Sequence, residues 1–221
     1  MPTTLPTNLE GRKPCTVGFT GGLATGKSTV AKILATRGIP VFDADAAVHE
    51  LYEPGQAGSA AVTELFGTTA LDAEGGVARA TLSEMVLGNA AARIRLENAI
   101  HPLVRQAVLE WLVSVSDRQV AVVEAALLVE TGYYRDYDVL MVVWCSQHQQ
   151  LQRALDRGVP AERVRGLINA QLPMTEKMDL ADVLVDNRGD LDDLAAEIDR
   201  AWSHVHRLCA ECTNRSPGQS G

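Results

Sequence analysis

Residues 15–29, CTVGFTGGLATGKST, constrain this chain more than any other stretch. A short apolar run, Thr16-Val17-Gly18-Phe19-Thr20, leads into Gly21-Gly22-Leu23-Ala24-Thr25-Gly26-Lys27-Ser28. That run fits G-x-x-x-x-G-K-[ST], the P-loop pattern. Its glycines let the backbone curl until successive N–H groups converge on one concavity, which suits phosphate oxygens. Lys27 adds a point charge at the β- and γ-phosphates, and the Ser28 hydroxyl is a ligand for Mg²⁺. A helix expected from about Lys27 to Thr36 aims its positive end at the same phosphates. A glycine-rich turn that binds nothing would share the loop but not its flanks. Here a strand pattern precedes the loop, and Val30, Ile33 and Leu34 give a helical pattern after it. The candidate nucleotide-binding residues are therefore Gly22, Leu23, Ala24, Thr25, Gly26, Lys27, Ser28 and Thr29, with Ser28 the candidate metal ligand. The expected cofactors are a nucleoside triphosphate and magnesium.

The length, 221 residues, suits one α/β domain with an inserted or appended subdomain. A net charge of −8 argues against long nucleic-acid contacts, while a local basic patch for phosphates is compatible with it. No apolar run approaches the ~20 residues of a membrane span. The opening MPTTLPTNLEGRKP has no apolar segment of the signal-peptide kind. It reads as a disordered extension over residues 1–14, and the setting as cytoplasmic. Four cysteines are present. Cys15 and Cys145 sit in apolar runs and are expected as core thiols. Cys209 and Cys212 follow His204 and His206, which makes a metal site conceivable. All four lie in one helix end and a polar tail, however, and zinc sites usually join separated segments. An exposed helix terminus is the plainer reading, followed by a disordered tail over 213–221.

After the first helix, Gly38-Ile39-Pro40 separates elements and Val41-Phe42 reads as a short strand. Asp43-Ala44-Asp45 follows at its carboxyl edge, where ligands collect in open α/β sheets. Either acid can cap the helix expected over 46–51; a carboxylate near a γ-phosphate can instead take the proton of an attacking hydroxyl. From 57 to 115 the pattern is largely helical, with helices expected over 60–66, 81–87 and 90–115. His101-Pro102 should kink or split the last of these. Arg93, Arg95, His101 and Arg105 in this block are either solvated or turned toward an anionic substrate. A central strand over 119–123 ends at Glu124, and Glu130 follows. These acids can reach Mg²⁺ through water or orient a substrate, and Glu130 can equally form a local salt bridge. Residues 139–144 form an apolar strand suited to a parallel sheet covered on both faces. On the helix expected over 147–157, Gln150, Arg153 and Arg157 share a face. A second helix over 161–171 carries Arg163 and Arg165. Together they read as a basic lid that neutralises a transferring phosphoryl group, or as an ordinary amphipathic hairpin. Residues 183–185 form a fifth strand and 191–209 a last helix.

Alternating strands and helices give the fold class: α/β, a five-stranded parallel sheet with helices on both faces, of the P-loop NTPase kind. The expected division is a core of 15–56, 117–146 and 176–212, a helical acceptor-binding insertion over 57–116, and a lid over 147–175.

With these residues in view, the chain resembles the dephospho-CoA kinase family, the last enzyme of coenzyme A biosynthesis. The motifs appear in order: GFTGGLATGKST, DADAAVHEL with EPG, HPLVR, LLVETG, then Gln150-x-x-Arg153-x-x-x-Arg157, AQLP with Lys177, and AD…DN-x-G ending at Gly189. The P-loop alone is common to many families; the full set at these spacings is specific. The resemblance implies a nucleoside-monophosphate-kinase-like fold and transfer of the γ-phosphate of ATP to the ribose 3′-hydroxyl of dephospho-CoA. It implies Asp45 as general base, with Lys27, Arg153 and Arg157 completing the catalytic set and Asn187 added to the nucleotide site. It implies Asp43, His49, His101, Arg105 and Glu130 as acceptor-binding residues. The partner expected is this small molecule alone, with no nucleic acid or membrane, and the chain a monomer or weak homo-oligomer. Three positions depart from the family pattern: Ala24 stands where glycine is frequent, Ala126 where proline is, and Gly158 where aspartate follows the arginine. Two other readings stay open, a P-loop kinase for another small metabolite and a nucleotide-dependent switch. For the switch, Asn187-Arg188-Gly189-Asp190 looks like a guanine reader with arginine in place of lysine.

Overall fold

The computed structural model describes residues 14–214. The expected extension, apart from Pro14, and residues 215–221 of the expected tail lie outside the described residues. The described residues divide into two compact units, one formed by 14–42 together with 115–214, the other by Asp43–Ser114.

The first unit is built on a five-stranded parallel sheet: β1 (Cys15–Gly21), β2 (Val41–Asp43, whose last residue opens the second unit), β3 (Val120–Glu124), β4 (Val139–Trp144) and β5 (Val183–Asp186). The strand order is β2-β3-β1-β4-β5, and β1 is central because its residues are buried on both faces. Its register sets Phe19 opposite Glu124 and Met141. Side chains alternate across the sheet. On one face Cys15, Val17 and Phe19 join Val122, Met141, Val143 and Val185. That layer is covered by α1 (Lys27–Thr36), through Val30, Ala31 and Leu34, and by α9 (Leu191–Asn214). On the other face Leu140 and Val142 pack with Leu128, Val129, Leu172 and three tyrosines. Gly18 belongs to this face, and a Cβ there would lie 2.8 Å from both Leu128 and Tyr137. The glycine therefore lets the tyrosine layer rest directly on β1.

The connection from β4 to β5 carries α6 (Gln147–Asp156), α7 (Ala161–Asn169) and α8 (Met174–Leu180). Ser146 and Gln149 close a reciprocal capping box at the start of α6. Helix α8 has no counterpart in the sequence reading. Seven residues, MTEKMDL, are too few for a helical period to show, and its single buried side chain is a lysine.

On α9, Leu194, Ile198, Ala201, Val205 and Cys209 recur every three or four residues and face the sheet. This corrects the reading of Cys209 as part of an exposed terminus. It is buried and disulfide-bonded to Cys15, so Cys15 is not a core thiol either. Cys145 is free and buried, and Cys212 free and exposed. Residues 213–214 continue α9 instead of starting a tail. The bridge joins residues 194 positions apart, which restricts the unfolded chain strongly. Reduction is expected to remove ~2–4 kcal/mol of stability and to lower Tm by roughly 5–10 °C. Thermal melts with and without reductant check this, and Cys209→Ser should make the two melts coincide.

The second unit holds α2 (Ala44–Leu51), α3 (Ala57–Phe66), a 3-10 turn at Thr68–Ala70, α4 (Arg79–Val86) and α5 (Ala90–Ser114). Its core is Val62, Ala70, Val77, Leu82 and Ile100. The unit thus begins at Asp43 and takes in α2, where the sequence suggested a boundary near residue 57. Helix α5 runs continuously through Pro102, so of the expected kink or split the split does not occur. Proline removes one N–H donor and crowds the carbonyl four residues back. Ile100 on one side of it and Val108 and Leu112 on the other are buried, so packing holds the helix together across the gap.

Candidate functional site

The loop between β1 and α1 has the curled backbone that its sequence demands. Gly26 sits at φ 98°, and a Cβ there would lie 2.1 Å from the Asn187 amide nitrogen. Asn187 Nδ2 donates to the Thr25 carbonyl at 2.7 Å, which pins the loop from β5's side. Inside the loop, the Thr25 hydroxyl donates to the Gly22 carbonyl at 2.9 Å, and Thr25 is wholly buried. Ala24 is in the left-handed region at φ 55°, where a Cβ costs roughly 1–2 kcal/mol. The departure from glycine at this position is thus a point of backbone strain.

Two polar groups of the loop are held by side chains from elsewhere in the chain. The Leu23 N–H donates to Gln171 Oε1 at 2.9 Å. Lys27 Nζ donates to Glu124 Oε1 at 2.6 Å, and Glu124 is buried at the end of β3. The register that places Glu124 beside Phe19 also brings it under the loop. Ser28, the second residue of α1, is exposed and its hydroxyl makes no hydrogen bond among the described residues.

Beyond the loop's α1 end lies a cavity of about 390 Å³ lined by Gly26, Thr29, Arg153, Arg157, Asn187 and Asp190, among others. Arg153 Nη2 donates to the Asn187 carbonyl at 2.9 Å. Burial pushes the nearby Cys145 thiol above its ordinary pKa, with Arg153 opposing the shift. Neither Arg163 nor Arg165 lines this cavity. The segment after β5 is fastened in place. Arg188 pairs with Asp186 at 2.7 Å, lies over the Trp144 ring at 4.4 Å, and holds the Asp186 carboxyl below its usual range. Asp190 accepts the N–H groups of Asp192 and Asp193 at the start of α9.

Beside Gly22, at the loop's other end, lies a second cavity of about 620 Å³ between the end of β4, α6 and the α7–α8 corner. That corner is anchored by Glu130, whose Oε1 accepts the Leu172 N–H at 3.1 Å and pairs with Lys177 at 2.6 Å. Lys177 is wholly buried. Glu130 Oε2 is buried with no hydrogen bond among the described residues. The pairings of Gln171 with Leu23 and of Glu130 with Lys177 escaped the sequence reading. Each joins segments about 40 or more positions apart, which spacing alone does not reveal. Their only trace was the AQLP stretch and Lys177 beyond it.

The remaining candidates belong to the second unit. Asp43 caps α2, accepting the Ala46 N–H at 2.9 Å. Asp45 is exposed in the first turn of α2, and His49 is exposed in its last. His101 and Arg105 sit one turn apart on α5, both half-buried. Burial lowers the His101 pKa, and Glu97 partly restores it.

The family model described as dephospho-CoA kinase matches residues 15–193. A dephospho-CoA kinase of Methylococcus capsulatus is 42% identical over 88% of this chain and 98% of its own length. One of Frankia casuarinae is 40% identical over 86% of this chain and 83% of its own. Among solved structures, TT1252 from Thermus thermophilus is similar at TM-score 0.78 and 29% identity, covering 87% of this chain and 98% of that one.

Proposed function

This chain belongs to the dephospho-CoA kinase family, and we propose that it transfers the γ-phosphoryl group of ATP to the ribose 3′-hydroxyl of dephospho-CoA, giving coenzyme A and ADP. The observation that carries this reading is the phosphate cradle itself: Gly26 in its left-handed turn, and the Leu23 N–H and Lys27 ammonium each held by a neighbouring side chain.

In this reading the triphosphate takes over the Leu23 N–H from Gln171 and the Lys27 charge from Glu124. Lys27 then neutralises the β- and γ-phosphate oxygens. Arg153 and Arg157 line the charged cavity and counter the charge spread over the transferring group, with Asn187 completing the nucleotide site. The attacking ribose oxygen forms its bond to the γ-phosphorus as the bond from that phosphorus to the β–γ bridging oxygen breaks. The hydroxyl proton passes to the Asp45 carboxylate, and ADP leaves. Asp43, His49, His101, Arg105 and Glu130 serve the acceptor, and the second unit as a whole is assigned to acceptor binding.

Magnesium fits the residues present: the exposed Ser28 hydroxyl and the Glu124 carboxylate are hard oxygen donors of the kind Mg²⁺ uses alongside phosphates and waters. Ser28 would hold it directly and Glu124 through water. When bound, the ion offsets negative charge on the β- and γ-phosphates. Residues 147–175 act as a lid that keeps water from the phosphoryl group. Among the described residues no helix is long and apolar enough to cross a membrane. We place the enzyme in the cytoplasm as a monomer or weak homo-oligomer.

An acceptor panel tests the reading. ADP release is measured with ATP, Mg²⁺ and, in turn, dephospho-CoA, adenosine and simple sugars. Dephospho-CoA is expected to exceed the others in kcat/KM by about 100-fold or more, a margin that several acceptor contacts supply. A preference for a nucleoside or sugar, or no transfer in a folded preparation that binds ATP, would overturn it.

A further inference from the structure

We propose that the 620 Å³ cavity between β4, α6 and the α7–α8 corner receives the neutral, amide-bearing arm of the acceptor, with the Gln150 side-chain amide as its principal polar contact. This rests on dephospho-CoA as acceptor.

Three observations carry it. First, no Asp, Glu, Lys, Arg or His side chain lines this cavity, in a chain that is 22% charged. The smaller cavity at the other end of the loop is lined by two arginines and two aspartates. The two ends of the phosphate cradle therefore open onto surfaces of opposite character. A diphosphate or an ionised group would lose its hydration in the larger cavity and find no counter-charge; an uncharged ligand would not.

Second, Gln150 is 4% exposed, yet its side-chain amide has no hydrogen-bond partner among the described residues. Its Nε2 lies against Gly22, within 2.9 Å of where a Cβ on that residue would stand. Its amide atoms are not among the fully buried polar atoms that lack a partner, so the small exposed part of Gln150 is the amide, which opens on the cavity. Arg153, on the same face of α6, donates to Asn187 through Nη2, and its Nη1 is buried without a hydrogen-bond partner among the described residues; it lines the other cavity, not this one. Gln150 thus faces the cavity as a donor and acceptor with nothing in the chain to satisfy it.

Third, the polar groups are spread out. Gln147 and Gln150 come from α6, Asn169 from the end of α7 and Thr175 from α8, with Met174 and Met178 between them. A planar base offers its hydrogen-bonding atoms in a single plane over a short span. The arm of dephospho-CoA instead carries two amides separated by methylenes, with no charge between its diphosphate and its thiol. Dispersed amides among flexible methionines suit the arm better, and the volume falls in the range that takes a ligand of that size.

The test compares dephospho-CoA with adenosine 5′-monophosphate, which shares the ribose hydroxyl but lacks the arm. AMP is used as a competitive inhibitor against dephospho-CoA at saturating ATP. Gln150→Leu keeps the side chain's bulk and removes an amide that is unpaired in the free protein, so Tm should hold or rise. Its KM for dephospho-CoA should rise about five- to tenfold, the effect of one neutral hydrogen bond, with the AMP inhibition constant and the ATP KM unchanged. Met178→Trp, which fills the cavity, should raise the same KM by about tenfold or more, again sparing AMP. Equal weakening of AMP and dephospho-CoA would assign the cavity to the shared adenosine and overturn the proposal. A shift confined to ATP would assign Gln150 to the nucleotide and overturn it as well, and so would an unchanged KM in both variants. If the unmodified protein phosphorylates some other acceptor, it is dephospho-CoA as acceptor that fails, a result these variant comparisons do not mimic.

Discussion

Asp45→Asn is expected to leave ATP affinity within about twofold and to lower kcat by 10²–10⁴-fold, the range for losing a general base. The substitution removes a proton acceptor and keeps shape and hydrogen-bonding atoms. Asp45 is exposed in the first turn of α2, so little packing is at stake. An interaction made only in the transition state shows in kcat and in kcat/KM alike, without a matching rise in KM. Steady-state kinetics beside an ATP titration separate the cases. A variant retaining near-normal turnover would show that Asp45 is not the base. Asp43 gives a useful contrast, since its carboxylate is engaged in capping α2 and Asn caps about as well. Asp43→Asn should leave stability within a few tenths of a kcal/mol.

The largest effect on stability is expected from Lys177→Met. Lys177 is wholly buried and pairs with Glu130 at 2.6 Å. Removing one partner of a buried pair leaves the other charge uncompensated, at a cost of ~3–5 kcal/mol. Glu130 would keep only the Leu172 N–H, and its second oxygen is already without a hydrogen bond. Tm should fall by about 10 °C. The α7–α8 corner should also loosen, which hydrogen exchange over 170–180 would register. Adding Glu130→Gln to Lys177→Met should recover more than half of the loss, because the orphaned charge is gone. If the single variant melted like the wild type, the Lys177–Glu130 pair would not anchor the α7–α8 corner.

Most of the sheet was legible because parallel strands buried on both faces read as apolar runs, and Val139–Trp144 is one. The P-loop was legible because its chemistry fixes residue types at fixed intervals. Pro102 is a local signal for a break, whereas the burial of Ile100, Val108 and Leu112, which keeps α5 continuous, is a tertiary one. Helix α8 stayed hidden because it is short and buries a lysine. Cys209 is hard to place from sequence because it lies where the apolar stripe meets the polar stretch Glu211-Cys212-Thr213-Asn214, while Val205 and Ala201 on the same stripe face the sheet. The contacts that hold the site ready, Glu124 to Lys27, Gln171 to Leu23 and Asn187 to Thr25, each span about 100 or more positions and depend on the register of the folded sheet.

The most direct measurement is the position of the new phosphate in the product. The protein is incubated with ATP, Mg²⁺ and dephospho-CoA, and the product is read by phosphorus–proton correlation NMR. One phosphomonoester coupled to the ribose 3′ proton, appearing in step with ADP, is the predicted result. Phosphate on another hydroxyl, or ADP accompanied only by inorganic phosphate, would contradict it.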